Sequence, residues 1–450
     1  MKKLFGTDGI RGKANVYPIT PDLALKVGKA LALFFRNGCS DKKLKVVIAH
    51  DTRVSAVMLQ NAIVSGLLSL GADVYIVGIM PTPELAFFTK NTDTDFGIMI
   101  TASHNPPCDN GIKIFNSEGF KLSDEQEEII ENYIFENNFE SAMVAGDKVG
   151  VVLQNNFYID RYNKFASQTI KNYTLAGKKI VIDCANGAAS IIAPELFKKL
   201  GAELITTATE VDGYNINVNC GATYPENISN IVIENKADLG IAFDGDADRV
   251  IFCDSNGKII NGDRIIAICA LDYKKRNILR GDAVVVTAMS NLGFHKAMNN
   301  AGIDVIVADI GDRYVIEEMV KNNCVIGGEQ SGHIVFLDHG TTGDGIITAL
   351  HILAVMQIEG KTLAELSNCM EEFPQELCNF TVKEKIPLEQ CHKINEQIKK
   401  CESALGQNGR IMVRYSGTEP KIRVLIEAQL QSDVDYWMRE MSNSINEELV

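Results

Sequence analysis

The chain repeats one order of segments three times, and this repeat constrains the fold more than any other feature. Each copy opens with an apolar, mostly β-branched run, at 45–49, 179–183 and 283–287. A helical stretch ending at a glycine follows, and then come a second and a third apolar run. Apolar strands that alternate with helices are typical of parallel strands buried on both faces. The repeat therefore predicts three related α/β domains with mixed, largely parallel sheets.

The third apolar run of each copy leads into a polar loop, within 96–106, 239–249 and 324–333. In open α/β sheets, ligands bind beyond the carboxyl ends of the strands. We therefore expect the three loops to lie at equivalent positions and to face one shared cleft.

The last part of the chain follows a different pattern. The α/β rhythm breaks between 366 and 387, and a strand, a tight loop and a second strand follow over 409–428, before a helix at 432–448. This order predicts a smaller α+β domain. We place the four domains at 1–152, 153–254, 255–367 and 368–450. The acidic stretch at 124–138 is expected to be a solvated helix face.

Charge and composition narrow the classes of partner. The chain has 44 basic and 58 acidic residues, a formal charge of -14, which disfavours nucleic acid but permits a small phosphorylated ligand. Neither a membrane span nor a signal peptide is visible, so we expect a cytoplasmic protein without a membrane partner. Eleven cysteines without a C-x-x-C pair predict reduced thiols. A homodimer is compatible with the sequence.

Ser103 follows the third run of the first copy and is a candidate covalent phosphoryl carrier. A lipase-type elbow is excluded, because Thr101 and Asn105 occupy its glycine positions. His104 and Lys113 are nearby candidates for proton transfer or anion binding. The alternative is an ordinary turn at the end of a strand.

The second loop carries three carboxylates at alternate positions, Asp244, Asp246 and Asp248. Carboxylates this close repel one another unless a hard cation neutralises them, and oxygen ligands suit Mg²⁺ or Ca²⁺ rather than zinc. An EF-hand is excluded because Arg249 stands at its glycine position; Arg249 instead adds an anion contact. Ala247 is harmless here unless the loop needs a positive φ at that position. A solvated acidic turn is the alternative.

The third loop, at 327–333, is rich in glycine and carries Glu329, Ser331 and His333. In an extended backbone, Glu329 and Ser331 point to the same side, which suits a pair of sugar hydroxyls. A glycine-rich turn without a ligand is the alternative.

A fourth motif, RYSGTEP at 414–420, lies in the last domain. Arginine binds phosphate in a bidentate manner, and successive backbone N–H groups form an anion nest. The motif therefore predicts a phosphate cradle, with a hairpin tip as the alternative. The patterns for a nucleoside triphosphate or dinucleotide site are missing from the sequence.

Five motifs together resemble the α-D-phosphohexomutase superfamily, in its order and from end to end. They are FGTDGIRG at 5–12, TASHNP at 101–106, DGDADR at 244–249, GEQSGH at 328–333 and RYSGTEP at 414–420. The opening motif and the pair GEQSGH and SGTEP are most similar to the branch that acts on glucosamine phosphates. The resemblance implies four domains around a central cleft. It also implies an isomerase that interconverts glucosamine 6-phosphate and glucosamine 1-phosphate, a step toward UDP-N-acetylglucosamine.

The resemblance further implies a phosphoserine enzyme and a 1,6-bisphosphate intermediate, with glucose or glucosamine 1,6-bisphosphate as activator. Ser103 is the implied phosphoserine, and one Mg²⁺ per chain is held by its phosphate together with Asp244, Asp246 and Asp248. The implied lining of the reacting centre is Arg11, His104, Lys113, Arg249 and His333. The implied sugar contacts are Glu329 and Ser331, with Asp312 and Arg313 in a further substrate loop. The implied phosphate cradle is Arg414, Ser416, Gly417, Thr418 and Arg423.

Three other functions stay open at this point. One is a mutase of the same superfamily that acts on mannose or glucose phosphates. A Mg²⁺-dependent sugar phosphatase with Asp244 as nucleophile is a different reaction class, and a sugar-phosphate sensor has no catalysis. The sequence also leaves open whether His104, Lys113 or His333 is the general base.

Overall fold

The computed structural model describes residues 4–38, 42–153, 158–171, 173–416 and 420–450. The chain forms two compact units. The first unit contains residues 1–289 and 301–369, and the second contains residues 290–300 and 370–450.

The first unit opens with a seven-stranded sheet in the order β1-β2-β6-β5-β3-β4-β7. Its strands are β1 Phe5–Gly6, β2 Gly9–Lys13, β3 Lys45–His50, β4 Asp73–Ile79, β5 Phe96–Ile100, β6 Asp109–Asn116 and β7 Val152–Leu153. Its helices are α1 Pro21–Arg36, α2 Ala56–Ser69, α3 Thr82–Asn91 and α4 Asp124–Glu136.

The second sheet has five strands in the order β12-β11-β10-β8-β9. The strands are β8 Lys179–Asp183, β9 Glu203–Thr207, β10 Leu239–Phe243, β11 Val250–Asp254 and β12 Ile259–Ile260. The helices of this part are α5 Tyr158–Thr169, α6 Ala189–Lys199 and α7 Glu226–Asn235. The short strand β12 lies beyond residue 254, where we placed the end of the second domain.

The third sheet has four strands in the order β14-β13-β15-β16. The strands are β13 Ala283–Thr287, β14 Asp304–Ala308, β15 Ile326–Gly328 and β16 Ile334–Phe336. The helices of the first unit in this part are α8 Gly262–Lys275, α10 Asp312–Lys321, α11 Gly345–Glu359 and α12 Leu363–Leu366.

The three sheets share one topology, which confirms the predicted repeat and fold class. The shared orders are β6-β5-β3-β4, β11-β10-β8-β9 and β16-β15-β13-β14. In each copy the first strand pairs in parallel with the second and third, and the third pairs antiparallel with a fourth. The hairpin between the third and fourth strands is the loop that carries the polar motif. The fold therefore gives the three motif loops the same place in each copy.

The second unit is the predicted smaller α+β domain. Its antiparallel sheet has the order β17-β19-β18, formed by β17 Gln375–Thr381, β18 Gly409–Tyr415 and β19 Lys421–Ala428. Its helices are α9 Leu292–Asn300, α13 His392–Leu405 and α14 Gln431–Glu448. Helix α9 belongs to this unit, although it lies between two strands of the third sheet in the sequence.

Two glycines allow α1 and α2 to pack in close contact. A Cβ atom on Gly66 of α2 would lie 2.3 Å from the Leu25 carbonyl oxygen, and a Cβ on Gly28 of α1 would lie 2.3 Å from the Ile63 carbonyl oxygen. Side chains at these positions would force the two helix backbones apart.

We expect Gly66→Ala to destabilise the protein, although alanine is the better helix former. Overpacking costs about 1–3 kcal/mol, whereas the gain in helix propensity is only about 1 kcal/mol. The melting temperature should therefore fall by a few degrees in a thermal unfolding scan. Ser65→Ala changes an exposed neighbour on the same helix and should leave the melting temperature unchanged. Equal melting temperatures for Gly66→Ala and wild type would contradict the close packing.

Helix α4 is more than the solvated acidic face that we expected. Glu131 is buried and accepts hydrogen bonds from the backbone N–H groups of Leu4 and Phe5, both at 2.8 Å. Glu127 is buried beside Arg313 at 3.2 Å. The acidic spacing in the sequence does not show that one side of this helix meets backbone donors and a cation from distant segments.

The cysteine prediction is confirmed wherever the structure describes the chain, because all ten described cysteines are free thiols. Within the described residues, no single helix is long and apolar enough to span a membrane; one bent pair, Gly345–Glu359 with Leu363–Cys369, passes by length and composition only.

Candidate active site

Ser103 lies at the first residue of a tight turn after β5, in a backbone conformation that is uncommon for a residue with a side chain. Its φ is 51°, in the left-handed region, and its side chain is buried. The Ser103 N–H donates to Thr101 Oγ1 at 2.9 Å. The hydroxyl Oγ donates to Asp244 Oδ2 at 2.6 Å, and Oγ lies 3.3 Å from His104 Nδ1. The structure therefore joins the first and second motif loops at the serine hydroxyl.

The acidic loop between β10 and β11 gathers its three carboxylates in the interior. Asp244, Asp246 and Asp248 are all buried, and one oxygen of each lies within 4.8 Å of the others. Burial, together with the like charges of Asp248 and Asp246, raises the pKa of Asp244 well above its usual value. Ala247 has a φ of 58°, so the loop does need a positive φ at this position. The solvated-turn alternative is wrong, because these carboxylates are not solvated.

The donors of the acidic loop fit a hard divalent cation such as Mg²⁺. Two buried carboxylate oxygens, Asp246 Oδ1 and Asp248 Oδ1, have no hydrogen-bond partner among the described residues. Unpartnered buried carboxylate oxygens are costly unless they bind a cation, and an all-oxygen donor set is the type that Mg²⁺ prefers.

Lys113 on β6 forms ion pairs with two carboxylates of the acidic loop. Its buried Nζ lies 2.9 Å from Asp246 Oδ2, 2.9 Å from Asp248 Oδ2 and 3.2 Å from Asp8 Oδ2. Burial opposes the charged amine, but these carboxylates outweigh it and raise the pKa of Lys113 well above its usual value. Lys113 is therefore a fixed positive charge in this arrangement.

Asp8 connects Lys113 to two further cations. Its carboxylate forms ion pairs with Arg11 and Lys121 as well as with Lys113. Burial alone would raise the pKa of Asp8, but the three cations hold it well below its usual value. The opening motif at 5–12 thus contributes both a cation and its partner carboxylate to the Ser103 loop, where Arg11 reaches the Ala102 carbonyl at 3.5 Å.

His104 and Arg249 complete the surroundings of the serine. Burial, with the charges of Arg249 and Arg11, lowers the pKa of His104 to about 4, so its imidazole is neutral near pH 7. The backbone N–H of Arg249 donates to Asp244 Oδ1 at 3.1 Å. Arg249 Nε lies 4.0 Å from Asp248 Oδ1 and is buried without a hydrogen-bond partner in the described chain. This guanidinium is suited to an additional anion.

The third motif loop joins the second one directly. Arg249 and His333 form an isolated antiparallel bridge, and the Val250 N–H donates to the Gly332 carbonyl at 3.1 Å. Gly332 has a φ of 91°, and a Cβ there would lie 2.3 Å from the Val250 carbonyl oxygen, so the junction requires glycine. Three loops predicted to share one cleft are thus adjacent within the first unit.

Comparisons with known proteins identify the family. Four descriptions of "Phosphoglucomutase/phosphomannomutase" match successive parts of the chain: alpha/beta/alpha domain I at 2–141, domain II at 156–257, domain III at 261–373 and the C-terminal domain at 377–444. The chain belongs to the phosphoglucomutase/phosphomannomutase family. The resemblance drawn from the five motifs is confirmed.

A curated relative and two solved structures extend this finding. A phosphoglucosamine mutase of Geobacter sp. (strain M21) is 46% identical over 450 residues, covering 100% of this chain and 99% of the relative. A phosphoglucomutase/phosphomannomutase family protein from Burkholderia thailandensis has the same fold, with a TM-score of 0.80, 24% identity and coverage of 98% and 97%. Aspergillus fumigatus N-acetylphosphoglucosamine mutase, solved with GlcNAc-6P and magnesium, has a TM-score of 0.68, 18% identity and coverage of 100% and 96%.

The remaining predicted residues of this family member have distinct surroundings. Ser331 Oγ donates to Glu329 Oε2 at 3.4 Å, and Ser331 is exposed. His333 Nε2 accepts from the Gly343 N–H at 3.2 Å and lies 3.4 Å from Asp312 Oδ2. His333 thus packs between α10 and the segment before α11, whereas Glu329 and Ser331 present polar atoms at the surface of the loop.

Asp312 and Arg313 are neighbours in the sequence but point to different partners. Asp312 forms an ion pair with Lys121. Arg313 is buried against α4, where it pairs with Asp124 and Glu127 and donates to the Leu122 carbonyl at 3.1 Å. The structure brings Asp312 close to His333 and places the Arg313 guanidinium at the junction with α4.

In the second unit, Arg414 on β18 and Arg423 on β19 are cross-strand partners. Burial and the nearby charge of Arg423 lower the pKa of Arg414, as expected for two cations that share one face. Lys385 donates to the Ser416 carbonyl at 2.6 Å and adds a cation that the sequence analysis missed. Gly417 and Thr418 lie outside the described residues.

Asp344 is a buried carboxylate at the start of α11, and it gives a pH-dependent prediction. It caps α11, where Oδ1 accepts from the Ile347 N–H at 2.9 Å and Oδ2 accepts from the Tyr162 hydroxyl at 2.6 Å. The next residue, Gly345, donates to the Ala247 carbonyl at 3.0 Å. Burial raises the pKa of Asp344 to about 6 despite these hydrogen bonds.

We expect Asp344→Asn to stabilise the protein above pH 6. The unfolded carboxyl has a pKa of about 3.9, so the folded state holds its proton more tightly and loses stability as the pH rises from about 4 to 6. Asparagine keeps the cap acceptor but has no charge. The free energy of unfolding of the variant should exceed that of wild type by about 3 kcal/mol at pH 7.5, seen as a higher melting temperature, and this advantage should shrink toward pH 4. An advantage equal at both pH values would contradict the role of the buried charge.

Proposed function

We propose that this chain is a phosphoglucosamine mutase, which interconverts glucosamine 6-phosphate and glucosamine 1-phosphate through a phosphorylated Ser103. The observation that carries the proposal is the position of Ser103 Oγ, 2.6 Å from Asp244 in the buried acidic loop. The curated relative at 46% identity over the full length supports the choice of sugar.

In the proposed reaction, the free hydroxyl of the sugar phosphate attacks the phosphorus of phosphoserine 103. A bond forms between the hydroxyl oxygen and phosphorus, and the bond between phosphorus and Ser103 Oγ breaks. The hydroxyl proton leaves and Oγ takes up a proton, so the products are a 1,6-bisphosphate and unmodified serine. In the second half, Ser103 Oγ loses its proton and attacks the other phosphorus of the bisphosphate. The bond between that phosphorus and the sugar oxygen breaks, and the sugar oxygen takes up a proton, so phosphoserine 103 and the isomeric sugar monophosphate are formed. Phosphate is conserved over the cycle.

Proton transfer at Ser103 is assigned to His104, whose Nδ1 lies 3.3 Å from Oγ. Lys113 serves as a fixed cation instead, since its amine is paired with three carboxylates. Arg11, Lys113 and Arg249 place positive charge around the phosphoryl group in transfer, which stabilises the charge on its equatorial oxygens.

Asp244, Asp246 and Asp248, with the phosphate on Ser103, would hold one Mg²⁺. When bound, the ion neutralises phosphate charge that would otherwise repel the incoming hydroxyl. The unpartnered oxygens of Asp246 and Asp248 and the all-oxygen donor set support this assignment.

The remaining motif residues are assigned to substrate binding. Glu329 and Ser331 bind sugar hydroxyls, and Arg414, Ser416 and Arg423 bind the phosphate that is not reacting. His333 lines the reacting centre, and Asp312, 3.4 Å from it, belongs to a further substrate loop. The assignment of Gly417 and Thr418 to that cradle rests on the motif alone. Arg313 is assigned to supporting the substrate loop through α4. Glucose or glucosamine 1,6-bisphosphate activates the enzyme by loading Ser103.

Phosphorus NMR tests this function. Protein with Mg²⁺ and a trace of glucose 1,6-bisphosphate is given glucosamine 6-phosphate, glucose 6-phosphate or mannose 6-phosphate in separate tubes. We expect the fastest appearance of a 1-phosphate from glucosamine 6-phosphate. Faster turnover of glucose or mannose phosphate would retain the chemistry and overturn the choice of sugar, whereas inorganic phosphate alone would indicate a phosphatase.

The expected partner is a small sugar phosphate rather than a nucleic acid, which agrees with the net charge of -14. Ionised sugar phosphates do not cross membranes unaided, so we propose that the enzyme acts in the cytoplasm.

A further inference from the structure

We propose that Arg53 is a positioning residue for Ser103, which holds the phosphoserine loop at the distance from the acidic loop that phosphoryl transfer requires. The inference rests on the proposed function, because it concerns the reaction at Ser103. None of the five motifs includes Arg53, which lies three residues after β3.

The Arg53 guanidinium is enclosed by the backbone of the phosphoserine loop. Its side chain is fully buried. Nη2 donates to the carbonyl oxygens of Ser103 at 2.9 Å and Asn105 at 2.8 Å. Nη1 donates to the carbonyl oxygens of Pro106 and, at 3.0 Å, of Asp109. One planar cation thus fixes four carbonyl groups within seven residues, which no other side-chain type could do with the same geometry.

A second path connects Arg53 to the other side of the Ser103 backbone. Arg53 Nε donates to Asp51 Oδ2 at 2.9 Å, and the Thr101 hydroxyl donates to the same oxygen at 2.7 Å. Thr101 Oγ1 in turn accepts the Ser103 N–H at 2.9 Å. The N–H and the carbonyl of Ser103 are therefore held by one closed network. This network explains how a serine with a φ of 51° stays in the left-handed region.

Asn217, from the segment between β9 and α7, binds the same loop from the side of the second sheet. Its Nδ2 donates to the Ser103 carbonyl at 2.8 Å and to the Asn105 carbonyl at 3.1 Å. A Cβ on Gly245 of the acidic loop would lie 2.6 Å from the Ser103 carbonyl and 2.9 Å from Asn217 Nδ2. The Ser103 carbonyl is thus held between Arg53, Asn217 and the acidic loop.

Arg53 does not act as a catalytic residue in this account, because the atoms it contacts are backbone carbonyls and Asp51. Its effect is on the orientation of Oγ toward Asp244 and toward the incoming hydroxyl. A misplacement of about 1 Å at a reacting atom can cost about 10²-fold in rate. Substrate affinity should change little, since sugar and phosphate contacts are assigned to other loops.

The principal test is Arg53→Lys, which keeps the charge beside Asp51 but cannot reach four carbonyls. We expect kcat to fall by about 10²-fold with KM within about threefold of wild type. The rate of phosphoryl transfer from phosphoserine 103 to glucosamine 6-phosphate in a single turnover should fall by the same factor. A smaller folded fraction alone would also lower the apparent kcat at constant KM, but it would reduce the amplitude of the single turnover and leave its rate constant unchanged.

The matched control is Arg264→Lys, which changes another buried arginine that donates to a backbone carbonyl, that of Ser367 at 2.6 Å. We expect this control to lower the melting temperature without reducing the single-turnover rate by more than about threefold. A milder probe is Thr101→Val, which removes the acceptor for the Ser103 N–H and should lower kcat by about tenfold. It serves as the test if Arg53→Lys does not fold.

The outcomes separate the two proposals. If Ser103→Ala is inactive while Arg53→Lys and Thr101→Val both keep kcat within about threefold of wild type, the positioning inference is overturned and the proposed function stands. If Ser103→Ala itself keeps wild-type mutase activity, the proposed function fails. A fall in kcat for Arg264→Lys equal to that for Arg53→Lys would also count against a specific role for Arg53.

Discussion

Replacing Ser103 with alanine is expected to lower mutase turnover by about 10⁴-fold or more, because the covalent carrier of the phosphoryl group is removed. The protein should still fold, since alanine keeps the backbone N–H and carbonyl that Thr101, Arg53 and Asn217 bind. Steady-state conversion of glucosamine 6-phosphate to glucosamine 1-phosphate, with melting temperature as a check on folding, measures this effect.

The control for this variant is Ser65→Ala, an exposed serine on α2 that is expected to leave activity unchanged. Ser103→Ala also separates the two reaction classes that the sequence left open. A phosphatase with Asp244 as nucleophile would keep releasing inorganic phosphate after the change. Such persistent release would contradict the role assigned to Ser103.

Asp244→Asn is expected to lower turnover by about 10³-fold, the second of the two largest effects. Asp244 both accepts from Ser103 Oγ and supplies a carboxylate to the proposed Mg²⁺ site. Losing one anionic ligand weakens the cation site and removes several kcal/mol of charge stabilisation in the transition state. In the metal-free protein, the variant should melt as high as wild type or higher, because burial and two like charges disfavour the Asp244 carboxylate.

A thermal shift with Mg²⁺ gives a second readout that is independent of activity. An ion that binds only the folded state stabilises it by about 2.7 kcal/mol at 100 times its dissociation constant. We expect this shift in wild type and its loss in Asp244→Asn. Asp254→Asn, a buried carboxylate at the end of β11 that accepts backbone N–H groups, should keep the shift and the activity. An undiminished shift in Asp244→Asn would contradict the metal assignment.

The sequence predicts the fold well where local pattern determines it. The apolar runs and glycine-ended helices recur three times, so the three sheets and the smaller last domain follow from periodicity. The shared position of the polar loops follows as well, because a loop after the third strand of each copy must leave the same edge of its sheet. The clustering of carboxylates in the acidic loop could also be predicted, because alternate carboxylates after an apolar strand repel one another unless a cation neutralises them.

The contacts that the sequence does not reveal are those between distant segments. Arg53 meets the Ser103 carbonyl across 50 positions, and Asn217 meets it across 114. Asp51 and Arg53 follow the first apolar strand of the first copy, at the sheet edge where ligands bind. Their position in the sequence is therefore a signal that they lie near the site. The positive φ of Ala247 has no such signal, because alanine does not favour that conformation.

The central claim is that Ser103 passes its phosphoryl group directly to the sugar. The most direct measurement uses protein phosphorylated with ³²P at Ser103, mixed with an equal amount of unlabelled glucosamine 6-phosphate and quenched within one turnover. We predict that the label leaves the protein and first appears in glucosamine 1,6-bisphosphate. Label released first as inorganic phosphate, or label that remains on the protein while glucosamine 1-phosphate forms, would contradict the account.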